Sequence, residues 1–333
     1  MRILFWGTPE FAVPSLRALH DGGIEVVGVV TQPDRPAGRG RKLRPSALKQ
    51  VALEYGLPVL TPERPRGDEF LKSINELEPD LSVVVAYGHI LKREVLDLPP
   101  LGSINVHASL LPELRGAAPI NWAIARGFQE TGVTIMRMVL GMDTGAIIHQ
   151  VKETILEHET ASQLSMRLSE SGAKALLEAL ALISAGGAEE VEQDDEAATF
   201  APKIDRSVAR VDWGWSARDV ALHVCAMDAV PGAWSLIEGQ GVKLFSARAI
   251  PAPDVSPSDP GASPSETEVS LPESVTSPPV PGTVIAVDPA QGVLVATSDG
   301  AVLITEVQPP GRRRMHARDW LNGRGLKLGQ RFE

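Results

Sequence analysis

The apolar runs Val26-Val27-Gly28-Val29-Val30 and Val83-Val84-Val85 decide the fold class of this chain. A strand that is apolar at every position is typical of a parallel sheet, because both of its faces are buried. Strands are predicted at 2–6, 24–30, 81–85, 103–106, 133–138 and 146–151, and amphipathic helices at 9–20, 45–55, 66–77 and 117–126. This alternation predicts an α/β domain with a doubly wound, mostly parallel sheet of the Rossmann-like kind.

The second half of the chain has a different pattern. A long helix is predicted at 160–184, and the acidic stretch after it is predicted to be a linker. Short strands between Gly and Pro turns then follow at 233–237, 242–249, 282–287, 292–297 and 301–307. They predict a small, OB-like β-barrel. We therefore expect one domain over 1–185, a linker over 186–208 and a barrel domain over 209–333.

Segment 251–281 stands apart within the predicted barrel domain. It contains nine of the chain's 27 prolines together with many Ser and Glu residues. Such a composition cannot bury enough apolar surface to order the backbone. We predict a disordered insertion there.

Bulk composition limits the class of protein. The 333 residues, 43% of them hydrophobic and 22% charged, fit a globular protein of two domains. No apolar run approaches the about 18 residues that span a bilayer, and the first residues lack the pattern of a signal peptide. One cysteine, Cys225, allows no internal disulfide, and the seven histidines lack the spacing of metal ligands. We expect a soluble, cytoplasmic protein without a metal.

The formal net charge of −10 is unevenly distributed along the chain. Segments 186–196 and 251–281 hold 6 and 5 acidic residues and no basic residue. Removing these 11 from the 42 acidic residues leaves 31 acidic against 32 basic residues. The remainder is close to neutral, so local basic patches decide what it can bind, and a nucleic-acid partner is not excluded.

The segment Ile104–Pro112 carries the strongest chemical pattern. If Ile104–His107 forms a strand, Asn105 and His107 point to the same face. Side chains at the carboxyl end of such a strand face the ligand crevice of an open α/β sheet. An amide beside an imidazole suits stabilisation of an oxyanion during acyl transfer. The alternative is an Asn that caps a turn beside a structural histidine.

A second pattern is Gly141-Met142-Asp143-Thr144-Gly145 between two predicted strands. A carboxylate between glycines can approach a crevice closely, and beside His107 it could raise the pKa of the imidazole or orient its tautomer. The alternative is an ordinary turn. Spacing alone does not bring Asp143 to His107, so this proximity is a prediction.

Two basic clusters are candidates for phosphate contacts. The Gly/Pro-rich segment 32–44, which we interpret as neither helix nor strand, holds Arg35, Arg39, Arg41, Lys42 and Arg44. The second cluster, Arg312-Arg313-Arg314, follows the last predicted barrel strand. Arg side chains can bind phosphates by charge and by bidentate hydrogen bonds. The alternative in both places is a solvated charged surface.

Several other chemistries find no support in the sequence. Gly7-Thr8-Pro9-Glu10 lacks the G-x-G-x-x-G spacing of a dinucleotide site, which makes a nicotinamide cofactor an unsuitable assignment. Ser109 lacks the G-x-S-x-G setting of a hydrolase nucleophile, and Cys225 has no recognisable activating neighbour. Covalent catalysis is not indicated.

Taken together, these segments resemble the methionyl-tRNA formyltransferase family along nearly the whole chain. The matching segments are Gly7–Ala12, Thr31–Gly40, Ala86–Gly88, Ile104–Pro112, Arg115–Ile120, Gly132–Met136, Asp143–Gly145, Phe200–Ile204, Ala209–Trp213, Pro231–Trp234 and Val307–Gly311. The N-x-H-x-S-L-L-P run with a downstream D-T-G is shared by folate-dependent formyltransferases generally, whereas the basic loop and the barrel indicate the acceptor. His89 and Glu113-Leu114 depart from the usual pattern.

The resemblance implies a function and its residues. The formyl group of 10-formyltetrahydrofolate, the co-substrate, would pass to the α-amino group of methionyl-initiator-tRNA by direct attack. Asn105 and His107 would donate hydrogen bonds to the tetrahedral oxyanion, and Asp143 would support His107 and the proton transfer. The implied folate contacts are Ser109, Leu110, Leu111, Pro112, Tyr87 and Gly88. The implied tRNA contacts are Arg35, Arg39, Arg41, Lys42, Arg312, Arg313 and Arg314.

Two other classes of function remain open at this point. One keeps the chemistry and changes the acceptor to an amino sugar nucleotide, glycinamide ribonucleotide or water. The other is a non-catalytic RNA-binding protein that uses the α/β domain as a scaffold. The barrel and the basic loop argue against the first, and the presence of Asn105, His107 and Asp143 argues against the second. We expect a monomer.

Overall fold

A computed structural model describes residues 1–37, 42–251, 279–288, 292–322 and 326–333. Within them the chain divides into two compact units. Unit 1 comprises Met1–Ile120, Gln129–Thr154 and Gln163–Pro202, and unit 2 comprises Asn121–Phe128, Ile155–Ser162 and Lys203–Glu333. Most of the predicted insertion at 251–281 lies outside the described residues.

The first 202 residues alternate strands with helices, as predicted. The strands are β1 Arg2–Gly7, β2 Glu25–Val30, β3 Arg35–Ala37, β4 Lys42–Arg44, β5 Val59–Leu60, β6 Leu81–Val85, β7 Ser103–His107, β8 Glu130–Arg137 and β9 Ile147–Thr154. The helices are α1 Val13–Asp21, α2 Ala47–Glu54, α3 Asp68–Asn75, α4 Arg93–Leu96, α5 Pro119–Ala125 and α6 Ala161–Ser184.

Seven of these strands form the sheet of unit 1, in the order β5-β2-β1-β6-β7-β8-β9. The strands from β5 to β7 run parallel, and β8 and β9 are antiparallel to their neighbours. The chain moves to one side of β1 for β2 and to the other side for β6. The crevice outside the carboxyl ends of β1 and β6 is therefore a topological switch point, where open α/β sheets bind ligands.

The burial pattern explains why these segments form a parallel sheet. The apolar residues of β1, β2 and β6 are almost fully buried on both faces, as the unbroken runs at 26–30 and 83–85 predict. On one face of β7 and β8, Val106 and Val133 pack against α6 at Gly172. Asn105 and His107 alternate with Val106 along β7, so their side chains lie on the opposite face of the sheet from α6.

The basic segment 32–44 corrects one expectation. We predicted neither helix nor strand there, yet β3 and β4 form a short antiparallel pair in which Arg35 pairs with Arg44 and Pro36 with Leu43. A proline fits a two-stranded ribbon because an edge residue has no need to donate to a second neighbour. Arg39 and Arg41 lie outside the described residues, as does the side chain of Lys42.

Unit 2 contains an antiparallel sheet and, at residues 121–125, most of α5. Its further elements are α7 Ala217–Ala226, β10 Ala233–Ile237, β11 Gln240–Pro251, β12 Val284–Asp288, β13 Gly292–Ala296, β14 Gly300–Gln308, β15 Met315–His316 and α8 Ala317–Asn322. The sheet order is β10-β11-β14-β13-β12, and β15 also pairs with β14. Its two outer strands are joined by one segment, because Phe332 bridges to Ile237 and Arg331 bridges to Thr283. The sheet thereby curls into a barrel-like form, and the predicted fold class is confirmed.

The acidic stretch that we predicted as a linker is bound to unit 1 over residues 191–201. Val191 exchanges two backbone hydrogen bonds with Ile147 at the start of β9. Further along, the carbonyl of Thr199 accepts from the backbone N–H of Arg115, and Ala201 donates to the carbonyl of Arg115. Composition misses this segment because backbone groups, which no residue type marks, make many of its bonds.

Candidate active site

Asn105 lies in the middle of β7, between Val84 on one neighbouring strand and Met136 on the other. Its side chain is half-buried, and we find no hydrogen bond from its amide to another described residue. A side-chain amide that is held on a rigid strand and retains free N–H groups can donate to a ligand.

His107 ends the same strand and is only 5% exposed. Its Nε2 lies 3.1 Å from the carbonyl oxygen of Leu114. Because a carbonyl oxygen only accepts, the neutral imidazole carries its proton on Nε2 and has a lone pair on Nδ1. Nδ1 lies 3.8 Å from Oδ2 of Asp143. The structure therefore brings His107 and Asp143 together, with Asn105 two residues earlier on the same face of β7.

Two opposing effects set the pKa of His107. Burial lowers this pKa below the ordinary histidine value because the charged imidazolium loses its hydration, and the nearby Asp143 carboxylate raises it. Burial is the larger effect, so the imidazole is neutral at pH 7. A neutral His107 uses its single N–H on Leu114, so it has no second N–H for an oxyanion. Its available function is that of a base at Nδ1.

Asp143 is fixed by the segment that also holds His107. Its Oδ2 accepts a hydrogen bond from the backbone N–H of Gly116 at 2.8 Å. Leu114 and Gly116 thus hold the imidazole and the carboxylate from one short stretch of backbone. A Cβ at Gly116 would lie 2.7 Å from the carbonyl oxygen of Ala201, which explains why a glycine is needed there.

The loop that follows β7 is organised by one hydroxyl group, that of Thr134. Its Oγ1 donates to the carbonyl of Ser109 and accepts from the backbone N–H of Leu111 and the side chain of Gln150. Gln150 also donates to the carbonyl of Leu111. Thr134 is 0% exposed, so these bonds form in a dry environment and fix the path of residues 109–112.

The predicted folate contacts occupy two loops at the carboxyl ends of β6 and β7. Ser109, Leu111 and Tyr87 have buried side chains, whereas Gly88 is exposed. Ser109 already donates to the carbonyl of Glu113. A ligand at this edge would therefore meet mainly backbone groups of these residues.

The loop after β6 is tied to the loops after β1 and β2. The carbonyl of Tyr87 accepts hydrogen bonds from Thr8 and from Gln32. The ring of Tyr87 packs edge-on against Trp6 inside the core, and burial raises the pKa of its phenol to about 12. The tyrosine is therefore a structural residue whose backbone shapes the switch-point crevice.

The basic residues differ in how they are engaged. Arg35 is exposed and donates to Gln32. Arg312 and Arg313 are exposed at the end of β14. Arg314, by contrast, pairs with Glu306 and with the buried carboxylate of Asp228, and lies 4.2 Å above the ring of Phe245. Its guanidinium is thus part of the packing of unit 2.

Sequence reasoning missed the residues that hold the site in place. These residues act through backbone groups or through one polar side-chain atom, which the sequence does not distinguish from ordinary structural residues; they are Leu114, Gly116, Thr134 and Gln150.

The described residues include no group of three or more His, Cys, Asp or Glu side chains that could hold a metal. Likewise, among the described helices we find none long and apolar enough to cross a membrane.

Comparison with known families identifies the class of protein that this fold and site define. The family described as formyl transferase matches residues 1–180. The family described as formyl transferase, C-terminal domain, matches residues 203–325. The two matches together cover most of the chain.

Curated relatives narrow this class. The chain is 46% identical to the methionyl-tRNA formyltransferase of Symbiobacterium thermophilum, over 100% of this chain and 95% of that one. It is 41% identical to the methionyl-tRNA formyltransferase of Bacillus subtilis, over 98% and 96% of the two chains. The protein belongs to the formyl transferase family, in the group of the methionyl-tRNA formyltransferases, and the resemblance drawn from sequence is confirmed.

Solved structures support the fold. HypX from Aquifex aeolicus, crystallised with tetrahydrofolic acid, matches with a TM-score of 0.63 and 22% identity. The match covers 98% of this chain and 48% of HypX, so this protein spans about half the length of that relative. WlaRD, a sugar 3N-formyl transferase, matches with a TM-score of 0.63 and 17% identity over 94% of this chain and 99% of its own.

Proposed function

We propose that this protein transfers the formyl group of 10-formyltetrahydrofolate to the α-amino group of methionyl-initiator-tRNA. The observation that carries the proposal is full-length similarity to methionyl-tRNA formyltransferases, at 41–46% identity in the two relatives described. The proximity of His107 and Asp143, with Asn105 on the same strand face, supplies the chemistry. A role in translation initiation also implies a cytoplasmic location.

The transfer begins with direct attack by the amine. An α-amino group has an ordinary pKa near 7.7–8.0, so about a tenth to a sixth of it is the free nucleophile at pH 7. Its nitrogen forms a bond to the formyl carbon, and the carbonyl oxygen becomes an oxyanion. We assign the amide N–H of Asn105 as the donor that stabilises this oxyanion, because the amide has no competing partner among the described residues.

Proton transfer completes the reaction. The amine nitrogen must lose a proton, and N10 of the folate must gain one as the bond between N10 and the formyl carbon breaks. Nδ1 of His107 accepts the proton, directly or through a water, and the carboxylate of Asp143 at 3.8 Å stabilises the imidazolium. His107 then returns the proton to the leaving nitrogen. This role as a base replaces the hydrogen bond from His107 to the oxyanion that the sequence resemblance implied. The N–H of neutral His107 is already bound to the carbonyl of Leu114.

We place the folate at the switch-point edge of the sheet of unit 1. The backbone of Ser109, Leu110, Leu111 and Pro112 forms one side of this site, and Tyr87 with Gly88 forms the other. The support for this placement is the dense hydrogen bonding of both loops, through Thr134 and through the carbonyl of Tyr87. Preorganised backbone groups of this kind are suited to bind a planar, polar heterocycle.

We assign the tRNA contacts to basic residues of each unit separately. In unit 1 these are Arg35, Arg39, Arg41 and Lys42. In unit 2, Arg312 and Arg313 are exposed, and Arg312 lines a cavity of about 490 Å³ together with Arg206, Trp234 and Lys243. The three cationic side chains favour a phosphate backbone. Arg314 is an unsuitable contact because two carboxylates already bind its guanidinium.

One experiment distinguishes this function from its nearest alternative. The protein is incubated with 10-formyltetrahydrofolate and with methionine-charged initiator tRNA, methionine-charged elongator tRNA, an amino sugar nucleotide or glycinamide ribonucleotide. We expect formyl-methionine on the initiator tRNA. Formylation of only a small amine, or release of formate without transfer, would overturn the assignment.

A further inference from the structure

We propose that Gln193 is a positioning residue for formyl transfer, because it fixes the turn that aims the carboxylate of Asp143 at His107. This inference rests on the proposed function, in which Asp143 stabilises the protonated His107. Gln193 lies 50 residues beyond Asp143 in the acidic 191–201 segment, and it carries no catalytic signature in the sequence.

The hydrogen bonds of Gln193 point to this role. Its Nε2 donates to the carbonyl of Asp143 at 2.9 Å and to the carbonyl of Gly145 at 2.7 Å. One side-chain amide thus binds both ends of the Asp143–Gly145 turn. Both N–H groups of the amide are used inside the protein, so Gln193 acts on the turn and has no donor left for a substrate.

Arg115 sets the orientation of the Gln193 amide. Its Nε donates to Oε1 of Gln193 at 2.9 Å, and its Nη1 pairs with Asp195 at 2.8 Å. Because a guanidinium only donates, Oε1 must face Arg115 and Nε2 must face the turn. Arg115 is 3% exposed, which holds this arrangement rigidly beside Gly116, the residue that binds the carboxylate of Asp143.

The turn needs such support because its backbone is strained. Asp143 has a φ of +55°, a left-handed conformation that residues with a side chain seldom adopt. A side chain at Gly145 would collide with the carbonyl oxygen of Arg137, so the turn is also tightly packed against β8. Without the two hydrogen bonds from Gln193, other conformations of the turn compete, and the carboxylate no longer stays opposite His107.

The 191–201 segment connects the two parts that the geometry requires. At one end Val191 pairs with Ile147, just after the turn, and at the other end Thr199 binds Leu114 and Arg115. Gln193 therefore joins the turn that carries Asp143 to the backbone stretch that holds both His107 and Asp143. This connection is what a positioning role requires.

The test compares Gln193→Ala and Gln193→Glu with the wild-type protein and with Glu192→Ala, an exposed neighbour, in steady-state formyl transfer. Gln193→Glu keeps the shape and an acceptor for Arg115 but cannot donate to the turn. We expect both Gln193 variants to lower kcat by about 10- to 100-fold, the scale of a small misplacement of a catalytic group. The KM values for folate and tRNA should change less than about twofold, because Gln193 contacts neither substrate in the proposed mechanism. Glu192→Ala should have the kcat and KM values of the wild type.

A double-mutant cycle separates positioning from general destabilisation. In an Asp143→Asn background the charge that Gln193 positions is already absent, so Gln193→Ala should lower kcat by less than about twofold further. A full additional loss in that background, or wild-type kcat in Gln193→Glu, would overturn the inference. Near-normal kcat in Asp143→Asn alone would instead overturn the proposed mechanism.

Discussion

The backbone N–H of Gly116 lies 2.8 Å from Oδ2 of Asp143, two residues after the carbonyl of Leu114 accepts from Nε2 of His107. A carboxylate and an imidazole that are 36 positions apart in sequence are thus held by one short piece of main chain. Because neither group supplies its own support, substitutions of neighbouring residues are expected to act on catalysis.

Gly116→Ala tests this main-chain support. The new Cβ would lie 2.7 Å from the carbonyl oxygen of Ala201, and the φ of +124° is strained for any residue other than glycine. We expect kcat to fall by about 10-fold or more through displacement of the N–H group, with a loss of at least about 1–2 kcal/mol in the free energy of unfolding. Gly187→Ala, where the added carbon meets open space, is the control. Equal kcat in the two variants would contradict the role of Gly116.

Asn105→Ala tests the oxyanion donor. We expect kcat to fall by about 10²–10³, equivalent to about 2.7–4 kcal/mol of barrier, in steady-state transfer from formyl-folate to charged tRNA. Asn105→Asp keeps the shape of the side chain without its N–H donors, so it should lose a similar amount. Thermal unfolding of both variants should resemble that of the wild type, because the amide makes no hydrogen bond to another described residue. Full activity in Asn105→Asp would rule out donation by this amide.

The pH dependence of kcat reports on His107. The base must be neutral, so activity is present above the pKa of His107 and is lost as the pH falls through it. Once the rate is corrected for the fraction of free amine, whose ordinary pKa is near 7.7–8.0, we expect the loss of activity caused by His107 only in acidic buffer, since burial lowers its pKa below the ordinary value of about 6.5. Asp143→Asn removes the charge that raises the pKa, so the acidic decline should move to lower pH. A shift to higher pH in that variant would show that another group titrates.

Thr134→Val tests the loop at residues 109–112. The substitution keeps the volume but leaves the N–H of Leu111 and the carbonyl of Ser109 without their buried partner, at a cost of about 1–3 kcal/mol per group. We expect a lower free energy of unfolding in urea and a higher KM for 10-formyltetrahydrofolate. Thr131→Val, on the same strand, is a matched control, because the buried hydroxyl of Thr131 has no partner within the described residues. An unchanged folate KM in Thr134→Val would move the folate away from this loop.

Substitutions of Arg312, Arg313 and Arg314 should distinguish an effect on tRNA binding from an effect on thermal stability. Arg312→Ala and Arg313→Ala should each weaken tRNA binding and reduce the slope of log affinity against log salt by about 1. Arg314→Ala should instead lower the Tm, because Asp228 would remain buried without its cation. If Arg312→Ala and Arg313→Ala leave both affinity and salt slope unchanged, the contact lies elsewhere, with the basic residues of segment 32–44 as the next candidates.

Residues with strong periodicity or strong chemistry could be predicted from the sequence. The valine runs at 26–30 and 83–85 are strands, and β10 has the predicted bounds 233–237. Helix α7 was not predicted, although Ser216 caps it, because its apolar residues are buried nearly all round and leave no clear amphipathic stripe. In the site, Asn105 and His107 share a face by strand geometry alone. The approach of Asp143 to His107 could only be proposed, because its position depends on a turn outside regular secondary structure. The sequence gives no signal for Gln193, because it lies in an acidic stretch without helix or strand periodicity.

The closure of the unit 2 sheet by Arg331 and Phe332 has a consequence for the behaviour of the chain in a crowded cell. An open strand edge is a template onto which another molecule can add its own strand, which is a common start of aggregation. Here that segment bridges to Ile237 of β10 and to Thr283, the residue before β12, so it covers both outer strands of the unit 2 sheet. In the unit 1 sheet, Val191 bridges to Ile147 on the outer strand β9, and the other outer strand, β5, is only two residues long. The same backbone pairings that complete the fold thus also discourage strand exchange between neighbouring copies.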